Sequence, residues 1–260
     1  MSLYPIVACN VPVAPIRAES AHRAEQTTQL LFGERATILE ELENGWAFIR
    51  THYDDYEGWV RRGQLSVLDD GAARKLPKHL VGIHGGCVQT HGTVIWIPAG
   101  AELSRPTLPL PGHEHAKFKG AKVELKEAGM QGGLLVHYVR TLLHAPYQWG
   151  GRTTAGIDCS GLVQLAYKLC GARLPRDASQ QAIAGRPVDF LQEAKPGDLA
   201  FFDNEEGRIT HVGLLADSAT IIHATDTAGC VVEDRIDMGG IISLRLKKRT
   251  HNLRMIRRYD

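Results

Sequence analysis

The sequence predicts an α+β protein in which two small β-barrels precede a unit of helices and an antiparallel sheet. Three observations support this prediction. Short segments with alternating apolar residues, such as Arg35–Glu41 and Trp46–Thr51, are typical of barrel strands. From about Gln131 the apolar spacing changes to the helical repeat. Four more strand-like segments follow these helices and predict the sheet.

The first predicted barrel occupies residues 1–68. A third strand is expected at residues 56–60, and the turn at residues 43–45 separates the first two strands. Short strands at this spacing favour closure into a small barrel. Residues 69–78 are polar and end near Pro77, which indicates a linker.

Residues 79–128 are predicted to form a second, divergent barrel. The strands expected at residues 94–97 and 122–125 flank a proline-rich loop at residues 106–112. Both β-rich segments share an order of strand, turn and Trp-bearing strand, which indicates related barrels.

The remaining unit, residues 129–260, is predicted to begin with two helices. The first spans residues 133–143 and is ended by Pro146. The second spans Cys159–Leu169, has an apolar face and is followed by Gly171 at the position of a C-cap glycine. The expected strands are residues 198–202, 210–215, 220–224 and 241–246.

The composition argues against some classes of function. The formal net charge over 260 residues is +1, which gives no electrostatic reason to bind nucleic acid or an anionic membrane. No apolar run reaches about 18 residues, the length that spans a bilayer. The N-terminal segment lacks the charged and apolar regions of a signal peptide, so we expect a cytoplasmic protein. The sequence does not indicate an oligomeric state.

The cysteines are few and scattered. Their odd number argues against a disulfide framework, and no CxxC pair indicates a structural zinc site. We therefore expect no structural metal, and the thiol chemistry predicted below needs no metal or organic cofactor. For four of the five, burial as a small apolar side chain is the simplest interpretation: Cys9, Cys87, Cys170 and Cys230.

Cys159 has a different setting. A glycine-rich segment leads directly into the helix whose first turn contains this cysteine. The free amides and the positive end of the helix dipole favour a thiolate there, and the same amides can later donate to an oxyanion. Asp158 or Ser160 can cap the helix. This pattern predicts a nucleophilic cysteine.

A thiolate nucleophile needs a base and a group that orients the base. His211 and His223 lie on two successive predicted strands, and their even separation places both imidazoles on one face of the sheet. A turn centred on Asp217 predicts that they lie directly opposite each other, with Cβ atoms about 4.5–5.5 Å apart. A zinc site formed by Cys159 and these two histidines is the alternative, but the sequence offers it no fourth ligand.

The C-terminal motifs resemble those of the NlpC-type cell-wall cysteine peptidases, a papain-like family. The resemblance covers roughly residues 131–259 and rests on the order and spacing of several motifs: Tyr147-x-Trp-Gly-Gly, Asp158-Cys-Ser-Gly-Leu-Val, Leu174-Pro-Arg, Pro196-Gly-Asp-Leu, His211-Val-Gly and Ile222-His-Ala. It implies a papain-like fold and a catalytic triad of Cys159, His211 and His223. It also implies that Tyr147 lies beside the thiol, and that Asp158 and Ser160 help to recognise substrate.

The front half resembles the bacterial SH3-like barrels that precede such domains in gamma-D-glutamyl-L-diamino acid endopeptidases. The residues that support this are Glu25-Gln-Thr-Thr-Gln-Leu and Asp55-Tyr-Glu-Gly-Trp-Val. The resemblance implies that Glu25 and Tyr56 hold the free amine of an N-terminal L-alanine. Some relatives have serine after Pro-Arg-Asp, whereas Asp177 is followed here by Ala178, so only Asp177 itself is a candidate at that place.

Together these observations predict a cysteine peptidase that cuts murein-derived peptides between gamma-D-glutamate and the diamino acid. An acyltransferase or amidase could use the same triad. A wall-peptide binding protein is the other alternative, since SH3-like barrels also serve as binding modules.

Overall fold

The computed structural model describes residues 4–90, 92–103 and 116–259. The chain divides into two compact units, Met1–Ala128 and Gly129–Asp260. The proline-rich loop expected at residues 106–112 lies outside the described residues.

The first unit begins with a single antiparallel sheet. Its strands are β1 (Ile6–Cys9), β2 (Val13–Arg17), β3 (Gln26–Leu31), β4 (Arg35–Glu41), β5 (Trp46–Thr51), β6 (Glu57–Arg61) and β7 (Leu65–Val67), and a 3-10 turn, Arg62–Gln64, separates the last two. The order is β3-β2-β6-β5-β4-β1-β7. Apolar side chains from all these strands share one buried cluster, so the sheet must curl around its own core.

A second sheet of this unit follows the short helix α1 (Asp70–Ala73), which lies within the segment predicted as a linker. Its strands are β8 (His79–Thr90), β9 (Thr93–Ile97), β10 (Glu102–Leu103) and β11 (Lys117–Glu124). The long β8 pairs with each of the other three. Its apolar side chains cluster with Leu31 and Phe32, so this sheet shares a core with the end of β3.

Three helices begin the second unit: α2 (Gly132–Thr141), α3 (Cys159–Leu169) and α4 (Ala178–Gln181). Every residue of α3 is buried, which makes it the central helix of the unit. Asp158 caps its start by accepting from the Gly161 amide. Gly171, with a φ of +81°, follows its end. The predicted bounds of α3 are confirmed.

An antiparallel sheet completes the second unit. Its strands are β14 (Arg186–Val188), β15 (Leu199–Asp203), β16 (Ile209–Leu215), β17 (Thr220–Thr225), β18 (Cys230–Asp237), β19 (Gly240–Ser243) and β20 (Lys248–Arg258), and a separate two-stranded ladder joins β12 (Arg152–Thr153) to β13 (Gly156–Ile157). A 3-10 turn spans Leu191–Glu193. The sheet order is β14-β20-β15-β16-β17-β18-β19, and β19 also pairs with β20. The strands from β15 to β20 therefore close into a ring.

Most of the strands predicted for this unit agree with the structure to within one or two residues. The strand expected at residues 241–246 is wrong at its end, because β19 stops at Ser243. There the chain turns: the Leu244 amide donates to the Asp234 carboxylate at 2.7 Å, and the Lys247 amide donates to the Ser243 carbonyl at 2.8 Å. We did not predict β18 or β20, and both contribute residues to the site.

Candidate active site

Cys159 is the first residue of α3 and is only 6% exposed. The backbone amides of Val212 and Ser160 hydrogen-bond its sulfur and favour the thiolate. Val212 directly follows His211 on β16, so the thiol lies against the strand that contains the predicted base. The helix start and the strand together therefore hold the candidate nucleophile.

The two histidines form a hydrogen-bonded chain. His211 Nε2 lies 2.8 Å from His223 Nδ1, and His223 Nε2 lies 3.2 Å from Asp234 Oδ2. Both rings and the carboxylate are buried, with His223 only 1% exposed. The chain thus runs across three neighbouring strands, β16, β17 and β18.

Our predicted register for the two histidines is wrong. Leu214 pairs with Ile222, which centres the turn on Ser218 and not on Asp217. Continued by one residue, this register brings Gly213 opposite His223, and a Cβ placed on Gly213 would come within 3.0 Å of the Cβ of His223. His211 is therefore a diagonal neighbour of His223. Moving the turn centre by one residue shifts the pairing by two residues, which keeps both imidazoles on the same face.

Two residues that the sequence did not reveal complete this cluster. Asp234 lies on β18 and accepts from His223, and His251 lies on β20. The His251 ring stacks on His211 with centroids 4.2 Å apart and an angle of 22° between the planes. Only the register of β18 and β20 brings these residues to the site, and neither strand was predicted.

Burial is the largest influence on the pKa values of Cys159 and His211 in the resting protein. Burial and the neighbouring Asp158 carboxylate raise the pKa of the Cys159 thiol to about 12, and the Val212 amide opposes them only in part. Burial, His223 and His251 hold the pKa of His211 well below its ordinary value. Both groups are therefore neutral near neutral pH. This differs from the expectation that the helix start stabilises a thiolate, because the loss of water outweighs the amides.

A buried network fixes the residues on either side of Cys159. Arg176 donates to Asp158 Oδ2 at 2.5 Å and to Ser160 Oγ at 2.7 Å. Asp158 Oδ2 also accepts from the Gly150 amide at 2.8 Å, and its Oδ1 accepts from the Gly161 amide at 2.7 Å. The glycine-rich segment is thus tied to the start of α3. Both carboxylate oxygens of Asp158 accept hydrogen bonds from within the protein.

Burial, followed by the electrostatic effects of Cys159 and Asp158, raises the pKa of the Tyr147 phenol. Its position comes from the backbone: the Tyr147 amide donates to the Gly229 carbonyl at 2.9 Å, and the residue bridges to Ile157. Asp177 is partly exposed and directly precedes α4, where its amide donates to Gln180 Oε1 at 3.5 Å.

The two barrel residues lie in the first unit. Glu25 is exposed and directly precedes β3. Tyr56 is half-buried and directly precedes β6, where its amide donates to Thr51 Oγ1 at 2.9 Å. Both residues belong to the curled sheet of that unit.

Comparison with known proteins places this geometry in a family. Residues 144–248 match the NlpC/P60 family, and residues 16–65 match the bacterial dipeptidyl-peptidase SH3 domain. The gamma-D-glutamyl-L-lysine dipeptidyl-peptidase of Bacillus subtilis is 32% identical over 225 residues, which cover 77% of this chain and 72% of the relative. The chain belongs to the NlpC/P60 family. Dipeptidyl-peptidase 6 of Lysinibacillus sphaericus is 29% identical over 240 residues, covering 82% of this chain and 85% of the relative.

Solved structures of NlpC/P60 proteins have a similar fold. One from Bacillus cereus has a TM-score of 0.77 at 19% identity, covering 98% of this chain and 99% of its own. An NlpC/P60 endopeptidase from Photobacterium damselae has a TM-score of 0.66 at 16% identity, covering 96% of this chain and 70% of its own. The family expected from the motifs is confirmed, and the protein is an NlpC/P60 cysteine peptidase with an SH3 domain in its front half.

Two features are absent from the described residues of this NlpC/P60 peptidase. None of the helices in residues 4–90, 92–103 and 116–259 is both long and apolar enough to span a membrane. In the same ranges, no group of three or more His, Cys, Asp or Glu side chains is arranged to hold a metal ion.

Proposed function

We propose that this NlpC/P60 peptidase hydrolyses the amide between gamma-D-glutamate and the L-diamino acid in murein peptides that begin with free L-alanine. The observation that carries the proposal is the thiol of Cys159, held at a helix start beside the hydrogen-bonded pair His211–His223. The similarity to the gamma-D-glutamyl-L-lysine dipeptidyl-peptidase of Bacillus subtilis supports this choice of bond.

The proposed catalytic residues are Cys159, His211 and His223. His211 accepts the thiol proton as the sulfur attacks the gamma-glutamyl carbonyl, and backbone amides at the start of α3 donate to the oxyanion. The imidazolium then gives its proton to the leaving amine of the diamino acid, which leaves a thioester on Cys159. Water, activated by the neutral His211, hydrolyses the thioester and restores the thiol.

The same proposal assigns the residues that recognise the substrate. Glu25 and Tyr56 of the SH3 domain bind the free amine of L-alanine, since a carboxylate is the natural partner of an ammonium group. Tyr147 and Asp177 line the cleft around the thiol. Asp158 and Ser160 are assigned to the same recognition set, with their orientation fixed by Arg176.

The proposal extends to domain layout and biological role. The domains are an SH3-like barrel at 1–68, a linker at 69–78, a second divergent barrel at 79–128 and a papain-like peptidase domain at 129–260. The boundary between the two compact units after Ala128 and the sheet that follows α2 and α3 support the start of the peptidase domain. A cytoplasmic enzyme of this specificity would recycle released wall peptides.

The test is incubation with L-Ala-gamma-D-Glu-diaminopimelate and L-Ala-gamma-D-Glu-L-Lys, each with a free and an acetylated N-terminus, followed by mass spectrometry. We expect L-Ala-gamma-D-Glu from the free peptides only, and no product from Cys159→Ala. Cys170→Ala is the matched control, because Cys170 is a buried thiol at the other end of the same helix.

The proposed contact between Glu25 and the substrate amine is tested with a separate pair of variants. Glu25→Gln should raise KM for the free-amine peptide, whereas Glu19→Gln, at another exposed position of the same unit, should not. Cleavage of acetylated peptides at the same rate would contradict the amine contact. Transfer of the dipeptide to an added amine in preference to water would favour the acyltransferase. Binding without turnover, surviving Cys159→Ala, would favour a binding protein.

A further inference from the structure

We propose that Asp234 is a positioning residue that sets the tautomers of His223 and His211, so that His211 Nδ1 is free to accept the proton of Cys159. The inference rests on the proposed function, since it concerns the base of the same reaction. Asp234 belongs to β18, a strand that contains none of the three proposed catalytic residues.

The partners of the Asp234 carboxylate fix its charge. Its Oδ1 accepts from the Leu244 amide at 2.7 Å, and its Oδ2 lies 3.2 Å from His223 Nε2. The residue is only 5% exposed, so bulk water does not replace these partners. Burial alone would raise the pKa of Asp234, but the hydrogen bonds from His223 and from the Leu244 amide outweigh it and lower the pKa. The group is therefore an ionised acceptor at neutral pH.

Because an ionised carboxylate can only accept hydrogen bonds, Asp234 fixes which atoms donate and which accept in the hydrogen bonds that link it to His223 and His211. Because Asp234 accepts, His223 Nε2 must carry the proton. In a neutral His223 the other nitrogen, Nδ1, then has a lone pair, and it accepts from His211 Nε2 at 2.8 Å. A neutral His211 that carries its proton on Nε2 has an unprotonated Nδ1. That nitrogen is the one left to act as the base.

An asparagine at position 234 would change this direction. Asparagine has one acceptor oxygen and one donor NH₂ group, whereas the site presents two donors, the Leu244 amide and His223 Nε2–H. If the oxygen keeps the Leu244 amide, the NH₂ group faces His223 Nε2 and favours a lone pair there. His223 Nδ1 then carries the proton and donates to His211 Nε2. His211 becomes protonated on Nδ1 and cannot accept from the thiol.

The first test reads the tautomers directly in the unmodified protein. The imidazole nitrogen chemical shifts of His211 and His223, assigned with single-histidine variants, distinguish protonated from bare nitrogens. We expect both residues to be protonated on Nε2 and bare on Nδ1 at neutral pH. A proton on Nδ1 of His211 in the resting protein would overturn the proposal, whatever any variant does.

The second test compares Asp234→Asn with Glu233→Gln. Glu233 is the preceding residue of β18, points to the opposite face and pairs with Arg140, so its variant controls for a changed carboxylate on the same strand. We expect alkylation of Cys159 by iodoacetamide, at neutral pH, to slow by about 10²–10⁴-fold in Asp234→Asn only. KM for a cleaved peptide should change by less than about two-fold while kcat falls with the alkylation rate.

Alkylation needs no peptide substrate, so this experiment separates the two proposals. If the murein peptides are not cleaved but Asp234→Asn slows alkylation, the positioning role stands and the substrate assignment fails. If peptides are cleaved and folded Asp234→Asn is alkylated as fast as Glu233→Gln, the positioning role is wrong. Near-ultraviolet circular dichroism establishes that each variant is folded, and the tautomer measurement decides the case for a variant that is not.

Discussion

Arg176 and Asp158 form a buried ion pair directly beside the candidate nucleophile, with Arg176 Nη2 2.5 Å from Asp158 Oδ2. The arginine is 1% exposed although its side chain is large. Burial lowers the pKa of this guanidinium, but the Asp158 charge overcomes that effect and raises it. A single arginine therefore anchors the start of α3 and, through Asp158 and Gly150, the glycine-rich segment before it.

We expect Arg176→Met to destabilise the protein by about 3–5 kcal/mol, because it leaves the Asp158 carboxylate buried without its charged partner. Urea unfolding measures the change. Arg173→Met is the matched control, since Arg173 is exposed three residues earlier and its loss should cost little. Equal stability of the two variants would contradict the role given to the ion pair.

Gly161 is required by close packing at the third position of α3. A Cβ there would lie 2.3 Å from the Gly151 carbonyl oxygen. We expect Gly161→Ala to cost about 1–3 kcal/mol and to slow alkylation of Cys159, because the glycine-rich segment must move. Gly133, near the start of α2, has open space where a Cβ would lie, with no atom within 4 Å, so Gly133→Ala should be neutral or stabilising by about 0.5–1 kcal/mol. Thermal denaturation of both variants distinguishes packing from helix propensity.

The pH dependence of kcat/KM should reflect the lowered pKa of His211. The neutral imidazole is the base, and its lowered pKa keeps it neutral below the ordinary histidine value of about 6.5. We expect kcat/KM to stay constant from neutral pH down through about 6.5 and to fall only at lower pH. Circular dichroism at each pH excludes unfolding as the cause. An acid limb centred at or above about 6.5 would mean that His211 is not held neutral.

His251 should make the stability of the fold depend on pH. Burial and the neighbouring His223 lower the pKa of His251 to about 4, so it stays neutral while the unfolded residue protonates below about 6.5. Because the unfolded state then binds more protons, stability falls as the pH drops from about 6.5 towards 4, by at most about 1.4 kcal/mol per pH unit for one histidine. His251→Phe keeps an aromatic stack on His211 and should flatten this slope.

Urea unfolding of wild type and His251→Phe at several pH values between about 4 and 7 measures that slope. His137→Phe serves as the control, because His137 is an exposed histidine on α2. A slope that is unchanged in His251→Phe would show that the burial of His251 does not contribute to acid sensitivity.

The sequence predicted the bounds of α3, and so the place of Cys159 at its first turn, because these depend on local features. The apolar repeat, the capping Asp158 and the following Gly171 determine where this helix begins and ends. The face shared by His211 and His223 was also correct, because alternation along a strand is local. The register between their two strands was predicted wrongly, because it depends on how the turn after β16 closes.

The rest of the site depends on long-range pairing. Asp234 and His251 reach the histidines only through the registers of β18 against β17 and of β20 against β15 and β19. Neither strand has an alternation strong enough to predict its partner. The expected thiolate at Cys159 differs from the raised pKa of its thiol for a related reason. The sequence indicates a helix start, but the loss of water around the sulfur comes from tertiary packing.

The ring of strands from β15 to β20 has a consequence for synthesis of the protein. β20 pairs with β15 on one side and with β14 and β19 on the other, so it closes the ring and is its last strand along the chain. A nascent chain that has not yet released β20 from the ribosome would leave β15 and β19 with open edges. It would already contain the thiol of Cys159 and both proposed catalytic histidines, but it would lack the His251 imidazole, which stacks on His211. A competent peptidase site would therefore assemble only after β20 has emerged and the whole ring of strands can close.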